Sequence, residues 1–131
     1  MSTVLDKPVN SDRRSRKRLA RVLVALFDHW QIAVADQASL LGLSTDSRAT
    51  VARYRKGEPL AGNTDLLARA AHLLGIHQSL RIMFAHDRDL AYRWVCTANR
   101  RFNDRAPLEI MRKGYEGILV VRRHLDFERS R

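Results

Sequence analysis

From Leu19 to Leu125 the apolar residues of this chain recur at spacings of three and four, and no stretch alternates in the manner of a strand. Leu19, Val22, Leu23, Leu26, Phe27 and Trp30 fall on one face of a first helix, expected to stop near Gln31. A short second helix carries Ala35, Ala38, Leu40 and Leu41 inward and ends at Gly42, since glycine takes the positive φ of a helix stop without strain. Leu43 to Ser47 is rich in capping residues, and a third helix runs through Val51 and Tyr54 to Lys56, with Gly57 and Pro59 as its stop signals. After the Gly62-Asn63-Thr64 turn, Leu66, Leu67, Ala70, Leu73 and Leu74 mark a helix up to Gly75, and Ile76, Leu80, Met83 and Phe84 mark a further helical piece. Asp87 and Asp89 suit the positive end of the next helix. Pro107 opens another, with Glu109 close behind and Gly114 as its cap. Tyr115 to about Glu128 forms the last, with Ile118, Val121 and Leu125 as its stripe. The fold class is all-α.

The formal charge is +10, from 24 basic and 14 acidic residues. The surplus is uneven: seven basic against two acidic groups in residues 1–21, four against four in 22–60, and thirteen against eight in 61–131. Such a balance points to nucleic acid or an acidic protein surface as a partner. The longest apolar run, Val22 to Phe27, has six residues, far below the roughly 20 that cross a bilayer, so no membrane partner is expected. Asp28-His29 interrupts the same run before it reaches the length of a signal peptide. Cys96 is the only cysteine, which rules out an intrachain disulfide or a cysteine-cluster zinc site and fits the reducing cytoplasm.

The run Asp36-Gln37-Ala38-Ser39-Leu40-Leu41-Gly42-Leu43-Ser44 is the first specific motif. A helix-turn-helix needs a small residue where two helices cross (Ala38), a residue tolerant of positive φ at the turn (Gly42), an apolar residue tucking the turn inward (Leu43) and an apolar anchor in the second helix (Val51). With Arg53-Tyr54-Arg55-Lys56-Gly57 closing it, the segment resembles the Xre-type helix-turn-helix, although about three residues more than usual separate Ser44 from Val51. The resemblance implies a second helix that reads operator DNA, with Ser47, Arg48, Ala52 and Arg53 toward the major groove, Arg55 and Lys56 on the phosphate backbone, and Thr50 completing the DNA-binding set. No acidic residue follows Asp46 within that helix. The alternative is a helical pair used only for packing or dimerisation. The basic stretch Arg13 to Arg18 either tracks phosphates, enters a minor groove, or is simply a solvated helix start.

The order of Trp94, Asn99, Phe102, Pro107-Leu108-Glu109, Gly114 and a short closing helix looks like the toxin-binding domain of the Xre/MbcA/ParS antitoxins. Ala98, Ala106 and Asn103-Asp104 depart from the usual residues of that pattern. The basic, apolar-poor start over 1–18 is expected to be a flexible tail. The resemblance covers residues 19–131 and implies a DNA-binding domain over 19–84 and a toxin-binding domain over 85–131. It further implies a RES-domain toxin that consumes NAD or transfers ADP-ribose, covered at its cofactor cleft by the antitoxin, and an operon repressed by the complex. Arg122, Arg123, Arg129 and Arg131 are then the groups for an anion-seeking cleft, and Trp94, Asn99, Phe102, Met111, Tyr115 and Leu125 complete the expected toxin-binding set. For Trp94 the alternative is core packing, and for the arginines a solvated helix end. A homodimer is expected, because such repressors read paired half-sites, with a higher hetero-oligomer once toxin binds.

Nothing in the chain suggests catalysis. His72 and His77 stand five apart and do not share a helix face as an i,i+4 pair does, and no phosphate-cradling glycine loop or nucleophile elbow is present. No cofactor or metal is expected. The rival reading is a stand-alone helix-turn-helix repressor without a toxin partner, which accounts for the first 84 residues and leaves Trp94 to Leu125 to dimerisation.

Overall fold

The computed structural model describes residues 12–44 and 46–131. Among these residues the α-helices are α1 (Arg13–Trp30), α2 (Val34–Leu40), α3 (Arg48–Arg55), α4 (Thr64–Met83), α5 (Arg88–Arg93), α6 (Pro107–Met111) and α7 (Tyr115–Ser130), with 3-10 turns at Trp94–Cys96 and Arg100–Phe102. No strand occurs among the described residues.

Helix α1 begins earlier than the basic tail allowed. Asp12 Oδ1 accepts the Ser15 N–H at 2.8 Å, so the capped end lies before Arg13, and the residues from Arg13 to Arg18 are the first turns of the helix. The expected tail over 1–18 is corrected to that extent, and its first eleven residues lie outside the described ones. Ala20, Leu23, Leu26, Phe27 and Trp30 are the buried face of α1. Gln31 ends it in the left-handed region, its N–H bonded back to Asp28 O at 3.1 Å.

The helix-turn-helix forms as its residues require. Ala38 is buried at the crossing, Gly42 has φ +77°, and the Leu43 N–H returns to Ala38 O at 2.9 Å, a pattern that closes a helix end. The extra residues lengthen the turn, which leaves α2 after Leu40 and reaches α3 only at Arg48. Within it the Ser44 hydroxyl accepts the Asp46 N–H at 3.1 Å. Ser47 makes no side-chain cap for α3, unlike the expectation from its residue type. Val51 and Tyr54 bury the inner face of α3, and the Tyr54 hydroxyl accepts the Ala61 N–H at 3.3 Å.

Helix α4 is the largest departure from the expected pattern. Gly75 does not end it; a single helix runs from Thr64 to Met83, capped by Asn63 Oδ1 on the Leu66 N–H at 2.7 Å. Gly75 serves a different purpose, because the Arg122 guanidinium lies where its Cβ would be. Leu66, Leu67, Ala70, Leu73, Ile76 and Leu80 are buried along α4. They belong to one continuous core with Leu23, Phe27 and Trp30 of α1 and Ile118, Val121 and Leu125 of α7. At the junction the Tyr92 ring of α5 is stacked between His29 of α1 (centroids 4.2 Å apart) and His77 of α4 (5.5 Å).

The tight segment before α6 is held by its own polar groups. Asn99 Oδ1 accepts the Arg101 N–H at 2.9 Å, and the Asn99 N–H donates to Arg105 O at 3.1 Å. Asn103 and Asp104 both take positive φ, at 58° and 63°, which explains how they replace a glycine: these two residue types tolerate the left-handed region better than most. Gly117 lets α7 cross α6 closely, since a Cβ there would run into the Ile110 carbonyl.

Candidate functional site

Two outward surfaces concentrate the chemistry of the chain, one on α3 and one on α7. On α3 the outward face consists of Arg48, Ala49, Ala52, Arg53 and Lys56, all exposed. Spacings of one, three and four put them on a single face, opposite Val51 and Tyr54. The two alanines keep the middle of that face low between long cationic arms. Sequence reading passes over Ala49, because a small residue carries no chemical signal of its own.

Not every arm is equally free. The Arg53 guanidinium donates to Thr50 Oγ1 at 3.2 Å and lies 3.7 Å from exposed Glu58, solvent-facing contacts that hold it only weakly. Thr50 itself is half-buried, as is Ser47. Arg55 points back toward the body: it donates to Asp28 of α1 at 3.0 Å and to Gln37 of α2 at 3.4 Å. Gln37 is buried and donates in turn to Ile32 O at 3.0 Å. Arg55 thereby links α1, α2 and α3, with its side chain still 40% exposed.

On α7 and the turns before it, the residues expected to meet a toxin divide. Leu125 and Met111 are fully buried and Phe102 is buried, so none of them is an exposed anchor. Their apolar character serves the core, and the expectation that they meet a partner directly is corrected. Trp94 is half-buried, with its ring edge toward Phe102 and stacked near His124, centroids 6.2 and 6.4 Å away. Asn99 is spent on its loop, as described above. Tyr115 is half-buried; its hydroxyl lies 3.0 Å from His72 Nε2, and Arg69 sits over its ring.

Arg122 reaches His72 Nδ1 at 3.0 Å. Arg129 pairs with Asp126 at 3.5 Å and Arg131 with Glu128 at 3.3 Å, so three of the four expected cleft-filling arginines have partners within the chain. Arg123 makes no salt bridge among the described residues and is exposed. It stands between two residues that sequence reading misses: Val120, 44% exposed, and Phe127, 63% exposed. Spaced three and four apart, Val120, Arg123 and Phe127 form one outward stripe. The available signal is their offset from the buried stripe Ile118, Val121 and Leu125.

Elsewhere, a cleft of about 530 Å³ lies between the end of α1 and α5, lined by Asp28, His29, Tyr92, Arg93, Cys96 and Thr97. Burial, then the nearby Asp36 carboxylate, pushes the Cys96 thiol upward, which keeps it protonated and a poor nucleophile. No cluster of three metal-ligating side chains occurs among the described residues. No described helix is long and apolar enough to cross a membrane.

Comparison with known proteins follows the same division of the chain. No curated protein matches it. The antitoxin Xre-like helix-turn-helix domain matches residues 11–75, which hold α1 to α3 and the first half of α4. The antitoxin Xre/MbcA/ParS C-terminal toxin-binding domain matches residues 79–131, from the end of α4 through α7. With a lengthened but intact helix-turn-helix in front and the toxin-binding helices behind, the chain belongs to the Xre/MbcA/ParS family of antitoxins.

Proposed function

We propose that the chain neutralises a RES-domain toxin, one that degrades NAD or transfers ADP-ribose from it, by covering the toxin's active site with α7, and that it represses its own operon through α3. The observation that carries the toxin half is the outward stripe of α7. A helix that buries Ile118, Val121 and Leu125 leaves Phe127 63% exposed beside Arg123, which has no salt-bridge partner among the described residues. An aromatic ring and a guanidinium displayed together are the side chains most often found as interface anchors. Arg123 replaces the four-arginine set as the leading group for an anionic cleft, with Arg122, Arg129 and Arg131 able to join only by leaving their own partners. For the DNA half, Arg48, Arg53 and Lys56 flank Ala49 and Ala52 on one face, and two copies of the chain would present two such faces to paired half-sites.

The test is to look for a RES-domain reading frame beside the gene for this chain and to co-express the two, following growth and cellular NAD. F127S with R123E should lose protection and keep operator binding, whereas R48E with R53E should do the reverse. Surface substitutions are the right tool, because deleting α7 would strip α4 of its packing and confound the result. Full protection by F127S/R123E would rule out the α7 stripe as the toxin contact. A chain with no effect on any neighbouring toxin would be a repressor alone.

A further inference from the structure

The basic residues of α1 do not radiate evenly. Arg14, Lys17, Arg18 and Arg21 stand at spacings of three, one and three, so they share a face, and all four are exposed. They line a shallow depression of about 190 Å³ on α1. Lys17 and Arg21 also line a second groove, of about 370 Å³, with Val24 of α1 and Tyr54, Arg55, Lys56 and Gly57 at the end of α3. The two depressions share Lys17 and Arg21 and so adjoin, from the start of α1 to the end of the helix that carries the exposed Arg48–Lys56 face.

Three further facts bear on what this strip receives. None of the four makes a salt bridge among the described residues; the Ser15 N–H, its hydroxyl and the nearby Arg18 charge hold the Asp12 carboxyl below its ordinary value. The Asp12 carboxylate already caps this end of α1 by accepting the Ser15 N–H, so an anion beside the strip is drawn chiefly by the side chains. Arg16, on the other side of the helix, donates to Leu60 O at 3.1 Å and receives the Leu60 N–H on its own carbonyl at 3.2 Å, which holds α1 in register beside the segment that follows α3.

We propose that Arg14, Lys17, Arg18 and Arg21, continued by Lys56, form a track for the phosphodiester backbone of duplex DNA beside the groove entered by α3. The inference rests on the DNA-reading role proposed for α3. It resolves the basic run as a helix face that follows phosphates, and not as an arm in a minor groove. Such contacts carry no sequence information; they add affinity that salt screens.

The experiment compares the full chain with R14Q/K17Q/R18Q/R21Q on two labelled duplexes of equal length: the region upstream of its own reading frame, and a shuffled version. Binding is titrated across a salt series. Every phosphate that the variant no longer neutralises makes the slope of log K against log salt shallower by about 0.9, so a decrease of about 2–4 in its magnitude is expected. Affinity for both duplexes should fall by the same factor, leaving their ratio unchanged, with the helical circular dichroism signal intact. An unaltered slope overturns the track, and so does a changed ratio, which would mean that the strip reads bases. R53E serves as the separate control. If the unmodified chain prefers neither duplex and R53E binds as well as it does, the α3 reading has failed; if R53E abolishes the preference while the α1 variant keeps the full slope, only the track has failed.

Discussion

Arg122 donates to Nδ1 of His72 across 3.0 Å, a bond that exists only while that nitrogen keeps its lone pair. A guanidinium has no acceptor, so the His72 proton sits on Nε2 and is donated to the Tyr115 hydroxyl, also 3.0 Å away. Helices α4 and α7 are thus joined by a neutral imidazole. Protonating it would set two cations face to face and remove the acceptor.

Stability should therefore depend on pH in a definite sense. Burial, then the charges of Arg122 and Arg123, hold His72 below its ordinary value. Burial, then Arg81 and His29, do the same to His77, and burial with Arg101 outweighs Glu128 at His124. In the window between these lowered values and the ordinary imidazole value near ~6.5, the unfolded chain binds more protons than the folded one. Stability is fully present above that window and is lost as pH falls through it. Thermal unfolding followed across the window should show a falling Tm, and a shallower fall in H72Q. An equally steep fall in H72Q would remove His72 from the account.

Core and surface on the C-terminal helices can be separated by substitution. M111A and L125A should each cost about 2–5 kcal/mol, because both side chains are fully buried and leave cavities. F127S should change stability by no more than about 0.5 kcal/mol, its ring being mostly in water. Denaturant midpoints at constant m-value measure all three. A large destabilisation in F127S would mean that its ring is packed after all.

Close approach of backbone predicts a further asymmetry between glycines. G117A drives a methyl group into the Ile110 carbonyl, and the backbone must shift at a cost of about 1–3 kcal/mol. G57A meets no atom within 4 Å but must hold φ at +105°, so its cost comes from conformation and not from a clash. Replacing Ile110 or Met111 by a smaller residue should not rescue G117A, since the obstacle is main chain.

The Asp28–Arg55 pair bonds across 3.0 Å with both side chains partly in solvent. D28N should cost only about 0.2–1 kcal/mol and leave DNA affinity at least as high, because it removes a negative charge next to the basic groove. R55A should weaken DNA binding chiefly by loosening α3 against α1 and α2. A salt slope unchanged in R55A would confirm that it braces and does not touch phosphate.

Much of this architecture is legible from residue types because the signals are local. Ala38, Gly42 and Leu43 define the turn through sterics alone, and Pro107 and Gly114 bracket α6. Gly75 misleads because its value is tertiary: the space above it is filled by an arginine 47 positions later. Met111, Phe102 and Leu125 resemble anchors because an apolar residue in a polar region has the same appearance whether it faces a partner or its own core. Conversely, Phe127 and Val120 come to notice only once the buried stripe of α7 settles which way the helix turns. The charge of Arg55 suggests phosphate, and its links to Asp28 and Gln37 are visible only in the fold, because those partners lie 27 and 18 positions away.

Helix α4 passes unbroken through residues 76–78, the interval between the two matched domains. The two matched domains thus share one helix, with no break in its backbone between them. Neither portion can be excised without baring the hydrophobic face that α4 shares with the other.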